Sequence, residues 1–561
     1  MQYLSIKPAT WATLAGACVA ITLHVATSSG AAQSVLLPEV TTAQGAALVE
    51  LARSAMTEYL HRRSGPSSMT IPPQLKKLSQ RRNAVAVTLR SGGSVLAVEV
   101  HSASDLRTNL IIAALQAMRS PRLPDRVDEK VLDSLTVEVE VLSEPRPVDI
   151  DKIDQAVSPG VTGIQCGSGN STIHVLPSAA RVLGLSPRQM LRGAMVRVRP
   201  AAATTTTPAG PRVAVFATRH FVGYPNLAAI EFYRGKLSPV PAELDDKTAL
   251  ARAESIGRYL ASHQDNDGRY AVGDGGTSLS DHLYATWAMA RLAERLGSPA
   301  LTRSVKLALG AATEKLTRGK GQAKFDTGSP DEDLAATGLL TLAVGLDKTK
   351  EAIQLQRDLL AGLAEDLTAP TSLPQNQPEH QPVLTHRGKY IALLAMQPNA
   401  ACAPAVASAR KTLLQCRPAD AETALWALRA GAVNAWPPAF GDPNTSPGLT
   451  RQGPAAQADE RGGFSVGAQP PQTHLTALAA VCMTQLLNQP TIPPATAKTL
   501  AGRVGQARKF CAHMVYQPKE AHFAADPNTW TGAVRATPGA AATTALSCAS
   551  AMEALLTGSG N

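Results

Sequence analysis

The second half of the chain, from about residue 245 onward, repeats one helical pattern without strand-like alternation. One set of segments begins with polar residues and then becomes rich in Ala and Leu, and the segments between them, such as 299–317 and 349–366, are amphipathic. Nearly apolar helices belong inside a fold and amphipathic ones outside. The pattern therefore predicts six inner helices wrapped by outer ones, an all-α (α/α)6 toroid over 245–561. The inner helices are expected to start at 281, 331, 386, 420, 474 and 543.

The first repeat contains the segment GRYLASHQDNDGRY at 257–270. It resembles the QW repeat of the terpenoid-cyclase and prenyltransferase-β superfamily, with Tyr in place of the final Trp. Gly462-Gly463-Phe464 and the loop around Phe325 resemble eroded copies. In this superfamily the cavity lies within the inner ring. The repeat breaks at 435–471, where an outer helix is missing or unrecognisable.

The polar starts of the inner helices would converge near one mouth of such a toroid. Six helix N-termini there add positive potential, which favours an anionic group. Each carboxylate taken alone is better explained as a helix cap or first-turn residue, and a single His as a packing residue. Three His at equivalent helix starts are less easily explained in this way. The catalytic candidates are His282, Tyr284, Asp331, Asp333 and His474. The ligand-binding candidates are Asp281, His282, His386, Arg387, Glu422 and His474, with Asp420 in the wider set.

Three activities can be compared with this half. A protonating terpenoid cyclase needs a DxDD acid, but Asp331-Glu332-Asp333-Leu334 lacks the fourth carboxylate, and aromatic residues are only 4% of the chain. A protein prenyltransferase needs a zinc-binding Asp-x-Cys, which does not occur. A polysaccharide lyase or hydrolase needs an acid and a base near a sugar bond, and the candidate residues could supply both.

Residues before 243 alternate between helical and strand patterns, which predicts an α+β domain over 40–240. Helices are expected at 46–63 and 106–118, and an antiparallel hairpin at 84–90 and 95–100 around Ser-Gly-Gly-Ser. At 135–142 three Val on one face alternate with Glu138 and Glu140 on the other. The pattern switch and the Pro239-Val240-Pro241 stretch place a boundary between 236 and 248. We expect the two domains to be separable.

The order of these segments resembles the AMMECR domain family across 45–240. The resemblance is carried by LVELARSAMTEYL, VAVTLRSGGSVLAVEV, SPRLPDRVDEKVLDSLTVEVEVLSEP, PGVTGIQ and VLPSAARVLGLSPRQML. The family's Leu-Arg-Gly-Cys-Ile-Gly run is replaced by Val95-Leu96-Ala97-Val98-Glu99-Val100, so the arginine, both glycines and the cysteine are lost. The resemblance implies the fold, because the hydrophobic pattern is intact. It implies no activity that depends on the cysteine.

Residues 1–32 combine one lysine, an apolar stretch from Trp11 to about Ala26 and small residues after it, which is typical of a signal peptide or an uncleaved N-terminal anchor. Export to the periplasm or the outside is therefore expected. The six cysteines after this segment have no CxxC spacing, so no metal or other cofactor is predicted. They are read as buried small hydrophobes in preference to disulfides, although their even number permits pairing.

The net charge is +10, and residues 1–243 hold 25 Lys/Arg against 17 Asp/Glu. This favours an anionic polymer or a peptide as partner, whereas nucleic acid is not expected because basic residues are not interleaved with aromatics. Together these observations predict an exported two-domain protein, binding or structural, with a ligand cavity in the toroid. A polysaccharide lyase or hydrolase is the alternative. The sequence leaves open whether the protein is an enzyme and indicates no oligomeric state.

Overall fold

The computed structural model describes residues 36–62, 71–78, 80–124, 127–168, 171–198, 212–273, 276–319, 321–368, 383–384, 387–432, 458–466, 469–490 and 492–557. The predicted signal segment at 1–32 and His386 lie outside these residues. Most of the loop predicted to lack an outer helix, 433–457, lies outside them as well. No helix within the described ranges combines the length and apolar character that a membrane span requires.

The N-terminal domain is an α+β unit built on one antiparallel sheet, as predicted. Its strands are β1 Val85–Ser91, β2 Ser94–His101, β3 Thr136–Leu142, β4 Arg146–Pro147, β5 Thr162–Ser168, β6 Ser171–Val175, β7 Arg212–Gly223 and β8 Ile230–Phe232. The main path runs β2-β1-β3-β7-β5-β6, and β4 and β8 also pair with β7. The predicted hairpin is confirmed, since Ser91 lies opposite Ser94 in the β1–β2 ladder.

Within the described part of this domain, six α-helices accompany the sheet: α1 Thr42–Arg62, α2 Leu106–Ala117, α3 Glu129–Ser134, α4 Ile153–Ala156, α5 Pro177–Val182 and α6 Pro187–Arg197. Both helices predicted at 46–63 and 106–118 are present. The apolar face of β3, with Val137, Val139 and Val141, packs in one core with α1 and α2. Asp105 caps α2 by accepting a hydrogen bond from the Thr108 amide, which stabilises such a helix start by about 1 kcal/mol.

The C-terminal part is mostly helical, and its first helix begins at Asp246, within the range 236–248 predicted for the boundary. Its helices are α7 Asp246–Ser262, α8 Leu279–Leu296, α9 Pro299–Thr313, α10 Pro330–Val344, α11 Lys350–Thr368, α12 Gly388–Met396, α13 Ala403–Leu413, α14 Ala421–Arg429, α15 Thr473–Leu487, α16 Pro494–Met514 and α17 Ala545–Leu556. All six expected inner helices are therefore helical: α8, α10, α12, α14, α15 and α17. We call these six the inner helices.

The inner helices contact one another in sequence, and the last contacts the first, so their contacts form a closed cycle. Their side chains, with those of the outer helices, make one continuous hydrophobic core. Gln264 of the QW-like segment donates hydrogen bonds to the Gly268 and Ser304 carbonyls, at 2.8 and 2.9 Å. It thereby ties the loop after α7 to α9. All six cysteines after residue 32 are buried and free, as expected for small hydrophobes.

The two domains share a buried polar interface. Lys236 forms an ion pair with Glu520 and donates to the Val515 carbonyl at 2.7 Å. The hydroxyl of Tyr224 donates to the Lys519 carbonyl. The glutamate face of β3 is covered as well as the valine face, and Glu138 and Glu140 are each 1% exposed. The sequence pattern could not show this, because the covering groups come from α5 and from the C-terminal domain.

Candidate binding site at the mouth of the inner helices

Polar side chains from the starts of five inner helices meet at one end of the cycle. The members are Ser280 and Asp281 of α8, Glu332 of α10, Arg387 before α12, Glu422 of α14 and His474 of α15. We call this group the mouth cluster. Four of its members, Asp281, Arg387, Glu422 and His474, keep 21–25% of their side chains exposed. The group is thus open to a ligand yet packed enough to hold its geometry.

Arg387 is the centre of the mouth cluster. Its guanidinium forms an ion pair with Glu422, donates to the Ser280 hydroxyl at 3.0 Å, and lies 3.7 Å from Asp281 Oδ1. The Glu332 carboxylate accepts from the Ser280 amide at 2.7 Å and from its hydroxyl at 2.9 Å. These bonds join the starts of α8, α10 and α14 through short polar links.

The pKa shifts in the cluster follow from burial and the charges around Arg387. Burial raises the pKa of Asp281, although Arg387 opposes the shift. Burial also lowers the pKa of His474, against the effect of Glu422, whose Oε2 lies 3.8 Å from Nε2. Burial alone would lower the pKa of Arg387, but Glu422 and Asp281 raise it. The cluster thus combines a firmly charged guanidinium, a neutral imidazole and carboxylates.

Tyr284 lies one turn after Ser280 on α8 and joins a polar network below the mouth. Its hydroxyl donates to Glu553 Oε2 at 2.7 Å, and Glu553 forms a two-pronged ion pair with Arg429. The Arg429 guanidinium lies 4.8 Å from the centre of the Trp287 ring. Arg429 is seven residues after Glu422 on α14, a rise of about 10 Å, so this network lies deeper than the mouth cluster.

The other candidates are placed apart from the mouth cluster. His282 is buried toward α9, where its Nε2 lies 3.4 Å from the Ala308 carbonyl and its ring packs on Tyr270. Asp333 accepts from the amide and hydroxyl of Thr327, both at 2.7 Å. Asp420 caps α14. Asp331 accepts from the Gly388 amide at 2.6 Å, and so links α10 to α12.

Sequence reasoning missed several polar groups that the fold brings together. Glu332 and Ser280 were passed over because first-turn carboxylates and serines are common at helix starts. Glu553 carried a usable signal, since it is the lone charge on the otherwise apolar helix α17, and a buried charge requires a partner. The buried group Glu138, His220 and His522 carried no spacing signal.

Comparisons with known proteins support the N-terminal assignment. Residues 49–221 match the AMMECR1 family model. A protein of Methanothermobacter thermautotrophicus is 29% identical over 154 residues, which are 26% of this chain and 78% of that protein. Residues 49–221 are therefore similar to the AMMECR1 family, and the helical part of the chain lies outside the family match.

Three solved structures are similar in part. An uncharacterised protein from Pyrococcus horikoshii shares 21% identity, covers 35% of this chain and 98% of its own, and has a TM-score of 0.30. An inactive variant of an α-1,6-mannanase of a Salegentibacter species, in complex with a mannotetraose, shares 12% identity over 55% of this chain and 99% of its own, with a TM-score of 0.28. A polysaccharide lyase shares 9% identity over 67% of this chain and 46% of its own, with a TM-score of 0.23.

Proposed function

We propose that the C-terminal helices form an (α/α)6 toroid and that the protein is a binding protein whose ligand site is the mouth cluster. The observation that carries the proposal is the meeting of five inner-helix starts in one partly exposed polar group around Arg387. Scattered helix caps would each satisfy their own helix, whereas these side chains bond across helices. Export of the protein belongs to the same proposal and rests on the residue pattern of 1–32.

The charges favour a hydroxyl-rich ligand, such as a neutral sugar chain. Asp281, Glu332 and Glu422 surround the single guanidinium of the cluster, and Arg387 is already paired. An anionic polymer would meet these carboxylates, and His282, one of the cations expected to receive it, is buried elsewhere. Sugar hydroxyls can donate to carboxylates and accept from guanidinium, so they suit both kinds of group.

The polar network below the mouth favours binding over reactions that need a closed apolar cavity. Tyr284, Arg429 and Glu553 are bonded to one another there, between the inner helices. A carbocation-forming cyclase would need an enclosed, aromatic-lined space at this level. A polymer chain lying across the mouth needs no such cavity.

The test is binding of neutral and uronic-acid oligosaccharides to the purified protein by calorimetry. Asp281→Asn and Arg387→Gln should each weaken binding of the neutral sugars at least about ten-fold, since each removes a charge-assisted hydrogen bond. Asp358→Asn, on the exposed face of α11, is the matched control and should bind like the wild type. Equal affinities for Asp281→Asn and the control would refute the proposal, as would tight binding of uronic acids alone.

A polysaccharide hydrolase or lyase is the second candidate, and one observation favours it. Burial raises the pKa of Asp281, and Arg387 contacts both Asp281 and Glu422. Two carboxyl groups flanking one ligand can act as acid and base. Release of reducing ends from the bound sugar, abolished in Asp281→Asn and in Glu422→Gln, would establish catalysis. Binding of the sugar without release of reducing ends would exclude the enzyme and favour the binding protein.

A further inference from the structure

A second polar group lies at the domain interface, far in sequence from the mouth cluster. Glu138 of β3 and His220 of β7 come from neighbouring strands of the sheet. His522 comes from the loop after α16 in the C-terminal domain. All three side chains are buried, and their nitrogen and oxygen ligand atoms lie within 4.8 Å of one another. We call these residues the interface triad.

His522 is the least satisfied member of the triad. It is 2% exposed, and neither of its ring nitrogens has a hydrogen-bond partner among the described residues. Its ring lies 5.2 Å from that of His220 and 5.2 Å from that of Phe232. A buried polar atom left unbonded costs about 1–3 kcal/mol. A group accepting the lone pair of Nε2 would remove part of that cost.

The spacing of the triad matches a tetrahedral metal site. Zinc binds His nitrogen and carboxylate oxygen at about 2.1 Å, so two ligand atoms of a tetrahedron lie about 3.4 Å apart. Glu138 Oε2 lies 3.1 Å from His220 Nε2, and Glu138 Oε1 lies 3.8 Å from His522 Nε2. Both distances are close to the tetrahedral value, and they start from the two different oxygens of the carboxylate, so one ion would be bound by both oxygens or by one of them after the carboxylate rotates.

The protonation states suit metal binding as well. Burial alone would raise the pKa of Glu138, but Arg90 and the two histidines lower it, so the carboxylate is ionised. Burial lowers the pKa of His522 well below its ordinary value, so the imidazole is neutral. Ionised carboxylate and neutral imidazole are the forms that bind a metal.

The charges around the triad are balanced before any ion binds. Arg90 forms an ion pair with Glu138, and Arg181 faces His522. Against these two cations stand Glu138 and its neighbour Glu140, which accepts from the Thr218 hydroxyl at 2.9 Å. In a metal site Arg90 would orient the ligating carboxylate, as hydrogen-bonded groups behind metal ligands commonly do.

We propose that Glu138, His220 and His522 bind one divalent transition-metal ion, with zinc the best match, and that this ion links the two domains. Two imidazoles and one carboxylate are a common zinc ligand set, and the fourth position is left to water or a small anion. His220 also lines a polar cavity with Glu140, Ser178, Thr218, Arg181 and Arg234. That cavity gives the fourth ligand a place beside the triad, with donors and acceptors for a bound water.

The first experiment measures metal in the full-length protein after zinc loading and dialysis. The wild type should retain about one zinc per chain, and His522→Ala and His220→Ala about a tenth of that or less. His263→Ala is the matched control, because His263 packs on Tyr259 outside the triad and should leave the zinc content unchanged. A metal-free wild type, or equal zinc in His522→Ala and the control, would overturn the proposal.

The second measurement uses only the wild-type protein, so its result does not depend on whether the variants fold. The metal-stripped wild type is titrated with Co²⁺, whose visible absorption distinguishes tetrahedral from six-coordinate sites. Intense tetrahedral bands that disappear on adding one equivalent of Zn²⁺ would support the site. Only the weak bands of solvated Co²⁺ would refute it.

Discussion

Arg234 of the N-terminal domain places its Nη1 2.9 Å from Asp459 Oδ1 of the C-terminal domain, and both side chains are completely buried. The same nitrogen lies 2.9 Å from Glu460 Oε1. Burying charges is costly, and the cost is repaid only while partners stay in place. Separating the two domains would therefore leave charged groups of both domains without their partners, and this cost holds the domains together.

Removing one partner of this pair should destabilise the protein strongly. Arg234→Met leaves Asp459 buried without its cation, and we expect a loss of about 3–5 kcal/mol in the free energy of unfolding. Urea denaturation followed by circular dichroism measures it. Arg258→Met is the control, because Arg258 pairs with Glu254 on the exposed surface of α7 and should change stability by less than about 1 kcal/mol. Equal losses in the free energy of unfolding for Arg234→Met and Arg258→Met would contradict a buried ion pair at the interface.

The turn between β1 and β2 offers a matched pair of glycines. Gly92 and Gly93 both have positive φ, at 50° and 77°. A Cβ on Gly92 would meet open space, whereas one on Gly93 would lie 2.4 Å from the Phe523 carbonyl oxygen across the interface. Gly92→Ala should cost about 1–2 kcal/mol from backbone strain. Gly93→Ala should cost about 1–3 kcal/mol more, because its methyl group would overlap the Phe523 carbonyl. Thermal unfolding of both variants measures the difference in stability.

The interface also bears on the separability expected from the sequence. Residues 36–241 and 242–561 produced alone would expose Lys236 and Glu520, which are paired in the whole chain. We expect each fragment to lack cooperative thermal unfolding and fixed near-ultraviolet dichroism, and co-expression to restore both. A fragment that unfolds cooperatively at the temperature of the full chain would show that the domains are independent after all.

The sequence was most informative where one element explains its own pattern. The alternation at 135–142 is the strand β3, and the polar starts before Ala- and Leu-rich runs are the starts of inner helices. It was least informative where a residue's environment comes from the other half of the chain. Glu138 follows a pattern typical of an exposed face, yet His522 covers it. Residues that are distant in the sequence show no regular spacing when they pack together, so the sequence pattern cannot reveal such contacts.

A buried ion pair across the inner helices should show strong coupling. Glu553 on α17 binds Arg429 of α14, and also Arg291 at 2.7 Å and Tyr284. Glu553→Leu alone strands Arg429 and should cost about 3–5 kcal/mol. Arg429→Met alone should cost about 1.5–3 kcal/mol, because Arg291 and Tyr284 still serve the carboxylate.

The double variant Arg429→Met/Glu553→Leu decides whether the pair acts as a unit. Replacing both charges with apolar groups leaves no stranded charge between them, so its loss should be smaller than the sum of the single losses by about 1 kcal/mol or more. Chemical denaturation of all four proteins in the cycle measures the difference. Additive losses would mean that Arg429 and Glu553 contribute independently.

His282 should make stability fall in acid over a defined range. Burial lowers its pKa to about 4 in the folded protein, whereas an unfolded histidine has a pKa of about 6.5. Between these pH values His282 is protonated in the unfolded chain but neutral in the folded protein. The stability present above pH 6.5 is therefore lost as the pH falls toward 4. The loss from this residue is up to about 3 kcal/mol.

In His282→Gln the unfolding free energy should therefore fall less over this range than in the wild type, while His61→Gln, at an exposed position, should follow the wild type. Parallel pH profiles for His282→Gln and the wild type would mean that His282 is not held neutral by burial against α9.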